Sequence, residues 1–117
     1  MSDIHLDSSV LVTLQDVMED EYPVLLDTFL VDSEERLLIL HQAEQAADAL
    51  ALQLAAHSFK GSCSNMGALM LAGLCKQLEE AGRLEELEQT PQLVEQIERE
   101  FAIVRILLKS ERQRYRH

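Results

Sequence analysis

Tryptophan is absent, and aromatic residues make up only 4% of the 117 positions. A core built from large rings is therefore excluded, and aliphatic side chains must fill it. Glycine (4) and proline (2) are scarce as well. With Ala, Leu, Glu and Gln dominating, that scarcity favours helices packed on helices. No stretch shows strand alternation, internal repetition or low complexity. Cations are few: 10 Lys and Arg face 21 Asp and Glu, for a net charge of −11. A phosphate backbone would repel such a surface, which argues against nucleic-acid binding. The one basic cluster is Lys109, Arg112, Arg114 and Arg116, read as cations complementing a helix C-terminus. No apolar run approaches the roughly 18 residues of a membrane helix. The opening Met1-Ser2-Asp3 is acidic and unlike a signal peptide, so a cytoplasmic location is expected. Cys63 and Cys75 match no metal or redox spacing and are expected to be small core residues.

The pattern predicts one domain of five helices. A first short helix runs from Ser8 to Met18, capped by Asp7, with a stripe of Val10, Leu11, Leu14, Val17 and Met18. Pro23 suits the start of a second helix to Ala46. Leu25, Leu26, Phe29, Leu30, Ser33, Leu37, Leu40 and Glu44 trace its inner side. Asp48 caps a third helix, Ala49 to Met66, and Gly67 ends it. A fourth runs from Leu69 to Ala81, where Gly82 stops it. Thr90 as cap and Pro91 as first residue open a long fifth helix. Four substantial helices with short connections predict an all-α, antiparallel up-down four-helix bundle with an extra short N-terminal helix.

One stretch breaks the economy of the rest: His57-Ser58-Phe59-Lys60-Gly61-Ser62-Cys63-Ser64-Asn65-Met66-Gly67-Ala68. Glycine inside a helix costs about 1 kcal/mol relative to alanine. On a helical wheel Leu52, Ala55, Phe59, Ser62, Cys63 and Met66 form a core face. His57, Lys60, Gly61 and Ser64 occupy the other, with Leu50 and Leu54 beside them. Leucines flanking an open histidine suggest a docking patch. Gly61 suggests that something approaches the helix closely there.

This string resembles the signature of histidine-containing phosphotransfer (HPt) domains, His-x-x-Lys-Gly-small-small-x-x-x-Gly. His57, Lys60, Gly61, Ser62, Cys63 and Gly67 fill its defining positions. The resemblance extends into Leu74-Cys75-Lys76-Gln77-Leu78-Glu79-Glu80-Ala81-Gly82-Arg83, similar to the family's next helix, and the bundle architecture agrees with it. The resemblance implies a phosphocarrier in a multistep phosphorelay. His57 would accept a phosphoryl group from the aspartate of one receiver domain and pass it to another. Its partners would be receivers of hybrid sensor kinases and of response regulators. They would supply Mg²⁺, so no cofactor or metal is expected on this chain. In keeping with that, the sequence has no metal-ligand spacing and no Gly-rich nucleotide loop. The chain reads as a stand-alone monomeric member rather than the tail of a hybrid kinase, and without kinase activity of its own.

A neutral imidazole is a nucleophile near pH 7 because its unperturbed pKa is about 6.5. Its other nitrogen then needs an acceptor, and a carboxylate serves best. In the family that acceptor comes from the next helix, which places the role on Glu79. Lys60, one turn from His57, would contact the phosphoryl oxygens. Gly61 would admit the partner's backbone, and Ser64 would line the same face. Lys76 and Arg83 share the Glu79 side of their helix and could add positive charge. Docking would use Leu50, Leu54, Gly61 and facing residues of the fourth helix. The bland readings are a surface histidine, a solvated lysine and a solvent-facing glutamate, and the complete motif outweighs them. His5, His41 and His117 have no such neighbourhood and read as surface residues. Two other classes remain: an HPt-like module that binds receivers without carrying phosphate, and a helical-bundle enzyme or metal protein. The first would usually lack the histidine. The second would call for an inward Glu-x-x-His pair, and the sequence contains none.

Overall fold

The computed structural model describes residues 4–115. Arg116, His117 and the opening Met1–Asp3 lie outside that range. Among the described residues all regular structure is helical. It comprises α1 (Ser8–Met18), a 3₁₀ turn (Glu19–Glu21), α2 (Tyr22–Gln45), α3 (Ala49–Asn65), α4 (Leu69–Arg83) and α5 (Thr90–Arg112). Both prolines open helices, where a missing N–H costs nothing. Asp7 and Asp48 cap as expected: Ser9 N donates to Asp7 Oδ1 and Ala51 N to Asp48 Oδ1, each at 3.0 Å. Thr90 is not the cap but the first residue of α5, its hydroxyl donating to Leu87 O at 2.9 Å.

The four long helices form a ring: α2 packs on α3, α3 on α4, α4 on α5, and α5 closes on α2. Along the α2–α5 seam, Asp27 pairs with Arg112 (3.0 Å), Glu34 with Arg105 (3.3 Å) and His41 with Glu98 (2.5 Å). Residue numbers rise on one helix as they fall on the other. With so few rings available, the core concentrates them. Phe59 and Phe29 both meet Phe101, at centroid distances of 6.3 and 6.5 Å, amid Leu26, Leu40, Leu52, Leu71, Leu78, Ile97 and Leu108. Tyr22 and Tyr115 make a second, edge-on pair at 5.5 Å. Tyr22 is fully buried and donates to Glu111 Oε2 at 2.8 Å. Burial pushes its phenol up, and the Glu111 carboxylate adds to that. Cys63 and Cys75 are buried and unpaired by disulfide. Contact with Cys75 and burial push the Cys63 thiol up, as expected of inert core thiols.

Three helices end alike. After α2, α3 and α4 the backbone N–H groups of Asp48, Ala68 and Glu86 reach back to Ala43, Cys63 and Ala81. The residue before each, Ala47, Gly67 and Glu85, has φ of 52°, 76° and 56°. This is the left-handed helix terminator that glycine fits best. Gly67 fills it as expected. Gly82 does not: α4 runs on to Arg83, and Glu85 takes the left-handed position. Gly82 instead sits where α4 crosses α3. A Cβ there would lie 2.7 Å from Ala49 O and 2.8 Å from Gln53 N. Gly67 has a second duty, because Asp7 N donates to its carbonyl at 2.9 Å and a Cβ there would stand 2.9 Å from Val10 Cβ. That contact ties the N-terminal segment to the α3–α4 turn.

Candidate functional site

The α3–α4 crossing fixes the site. Close approach at Gly82 brings Glu79, one turn earlier, against the middle of α3. Glu79 Oε2 lies 2.8 Å from His57 Nδ1, and Glu79 Oε1 lies 2.6 Å from Lys60 Nζ. One carboxylate thus serves both residues. Glu79 is only 19% exposed and Lys60 29%, whereas His57 is 66% exposed. Lys60 holds the Glu79 carboxyl below the usual carboxylate range. Burial opposes this, and the His57 contact reinforces it. An ionised carboxylate can only accept, so His57 Nδ1 carries the hydrogen. Nε2 is the ring nitrogen with no partner in this contact, on a side chain that is mostly exposed.

The surroundings are as bare as the sequence suggests. Gly61 is exposed, and a Cβ placed there meets nothing within 4 Å. No intramolecular packing requires a glycine at this position. Leu50 and Leu54 are 63% and 60% exposed, and Ser64 is exposed on the same face. Lys76 is exposed on α4, three residues before Glu79. Arg83 is not aimed at the site. Its guanidinium is taken by Glu80 one turn back, with Nε donating at 2.8 Å. The Lys60 ammonium rests on Glu79, a contact the sequence reading did not include.

The wheel placed Ala55 and Ser62 in the core, but both are half-buried and Ala56 is the buried residue. The reason is geometric: α3 packs between two helices, and Ala55 turns toward α2. There Asp32, Glu35, Arg36, Ile39, Ala51, Leu54, Ala55 and Ser58 line an open groove of about 640 Å³. Arg36 Nε donates across it to Ser58 Oγ at 3.2 Å. The groove joins the exposed Leu54 to α2, a side the sequence reading had not included. His5 and His41 are not bare surface residues either. His5 Nδ1 lies 2.7 Å from the buried Glu100, and His41 meets Glu98. Neither is as open as His57.

The family model described as Hpt domain matches residues 24–106. That span holds His57, Lys60, Gly61 and Glu79. The chain belongs to the Hpt domain family. No curated protein matches significantly. Among solved structures, the Hpt chain is similar to the crystal structure of histidine-containing phosphotransfer protein B (HptB) from Pseudomonas aeruginosa PAO1. The two share 70% identity at a TM-score of 0.94, over 96% of this chain and 97% of that one. Among the described residues no cluster of His, Cys, Asp and Glu suits a metal ion, and no helix is long and apolar enough to cross a membrane.

Proposed function

We propose that the chain is an HptB-type, stand-alone phosphocarrier of a phosphorelay, with His57 as its phosphorylated residue. The single observation that carries this is the His57–Glu79 contact at 2.8 Å, which engages Nδ1 of an exposed imidazole with a carboxylate. Family membership supports histidine phosphotransfer in general terms. The finer reading concerns how the group moves.

The Nε2 lone pair attacks the phosphorus of a receiver's aspartyl phosphate. An N–P bond forms, the P–O bond to the aspartyl carboxylate breaks, and that carboxylate leaves with the electron pair. Nε2 held no proton, so none has to be lost, and Nδ1–H stays on Glu79. Positive charge developing on the ring is stabilised by that carboxylate. Transfer onward to a response regulator's aspartate reverses the step. The receivers supply Mg²⁺, so this chain needs no cofactor of its own. Lys60 and Lys76 supply positive charge near the phosphoryl group. Gly61, Ser64, Leu50 and Leu54 receive the partner. Such relays favour small, transient interfaces, and a chain of net charge −11 acting as a cytoplasmic monomer is in keeping with them. The scaffold is read as an antiparallel up-down bundle with the short α1 across one end. The opposed numbering along the α2–α5 seam and the Asp7–Gly67 contact support this.

The test is transfer of label from a phosphorylated receiver to the chain and to His57→Gln. Acid-labile, base-stable label on the parent alone is expected. Label on both proteins would place the site elsewhere. Label on neither, with competent receivers, would reduce the chain to a receiver-binding module.

A further inference from the structure

The N-terminal end of the chain is held in an unusual way. No residue of α1 is buried, and Val12 and Val17 stand largely in solvent. A helix this short has little stability of its own in water. The stronger contacts belong to the leader in front of it. Leu6 is buried. His5 Nδ1 meets Oε2 of the buried Glu100 on α5 at 2.7 Å, and Asp7 N donates to Gly67 O at 2.9 Å. Further along, α1 reaches the bundle through Gln15, whose Nε2 donates to Tyr115 Oη and to Glu111 Oε2.

The joint after α1 is strained. Glu19 has φ of 50° and ψ of −118°, the values of the first corner of a type II′ turn, where glycine is favoured. Holding a side chain in that conformation costs free energy for as long as α1 lies against the bundle. From the buried leader, the unburied helix and the strained joint we propose that residues 4–18 form a flap. Glu19 is its hinge and the His5–Glu100 pair is its catch. The flap opens as a unit while α2 to α5 stay folded. Opening removes the donor from Gly67 O and uncovers Leu107, which now faces Leu6 and Leu11. A second, conditional apolar surface then appears at this end of the bundle. The catch resists opening because lifting His5 parts a buried carboxylate from its partner. The flap lies away from the carrier site, since Gly67 follows His57 by ten residues, about 15 Å of helix.

Native-state hydrogen exchange across low urea tests this on the full chain, with the parent, His5→Ala and Glu19→Gly. In the parent the amides of residues 12–18 should share one opening, at least about a hundredfold less protected than core amides of α3 and α5. Its urea dependence should be well below that of global unfolding, because less surface is exposed. His5→Ala should lower the protection of these amides about ten- to hundredfold, since the catch is broken whenever the flap opens. Glu19→Gly should raise it about three- to tenfold, since strain is lost from the closed form alone. Amides of α1 that open one by one, or only with the whole chain, would overturn the flap. So would a His5→Ala chain of lower global stability with α1 protection unchanged, because the pair would then survive opening. Protection that stays or falls in Glu19→Gly would overturn Glu19 as the hinge.

Discussion

Two of the glycines should respond to alanine in opposite directions. At Gly82 an added Cβ would stand 2.7 Å from Ala49 O, 2.8 Å from Gln53 N and 3.1 Å from Gln53 Cα. All three are backbone atoms of α3, so no side chain can swing away, and the helices themselves must separate. Overpacking costs about 1–3 kcal/mol, and three contacts with fixed backbone put this site at the upper end, about 2–3 kcal/mol. Alanine's better helix propensity returns about 1 kcal/mol. A net loss of about 1–2 kcal/mol follows, or ~4–8 °C in Tm for a chain of this length. Gly61→Ala meets nothing within 4 Å, so only the propensity term acts. It should gain about 0.5–1 kcal/mol and melt ~2–4 °C higher. Function should not follow stability. Gly61→Ala should accept phosphoryl groups from a receiver more slowly while reacting normally with acetyl phosphate, which needs no protein–protein contact. Gly82→Ala, assayed where it is still folded, should lose rate with both donors, because separation at Gly82 loosens the Glu79 contacts one turn away. Thermal and urea unfolding of both variants measure the stability arm. A neutral Gly82→Ala would refute the close crossing as the origin of the site geometry. A destabilised Gly61→Ala would refute the claim that this glycine serves only a partner.

The remaining expectations are simpler. Glu79 has a depressed carboxyl, so its ion pairs stabilise the fold above the ordinary glutamate value of about 4.3 and are lost as pH falls through the lower folded value. Melting curves of the parent and Glu79→Gln should therefore differ at pH 7, with the parent higher, and converge below about pH 4. Glu85→Gly should stabilise the chain by up to about 1 kcal/mol in urea, because φ of 56° strains any residue with a Cβ. Tyr22→Phe removes the hydrogen bond to Glu111 and should cost about 1 kcal/mol, read from the urea midpoint with the slope unchanged. Arg83→Ala should leave phosphoryl acceptance within about twofold, since Glu80 already occupies its guanidinium. A large loss there would restore Arg83 to the site.

The sequence revealed the helices well because each carries its own punctuation. Asp7, Asp48, Pro23 and Pro91 mark starts through local chemistry, and the bounds they predict for α1 to α3 hold within a residue. Gly82 misled for an instructive reason. A glycine after an apolar stripe reads as a stop, and only the neighbouring backbone shows that it serves a crossing. Glu85 then ends the helix against its own conformational preference, which no propensity argument anticipates. At the site, the His57–Glu79 pairing was legible through family resemblance. The Lys60–Glu79 contact and the Glu80–Arg83 pair were not, because each depends on which of several nearby charges lies closest. The groove along α2 was invisible for a related reason: a wheel describes one helix, and Ala55 belongs to a seam between two.

His57, Lys60, Gly67, Glu79 and Gly82 all lie on one helical hairpin joined by a three-residue turn. The loop closed by the His57–Glu79 contact is short, so its closure entropy is small. The reactive constellation is thus a property of a supersecondary unit rather than of the assembled ring. The other helices bury the hairpin's inner face but contribute no atom to the His57–Glu79–Lys60 contacts. Sequence drift in α1, α2 or α5 leaves every residue of the His57–Glu79–Lys60 contacts in place.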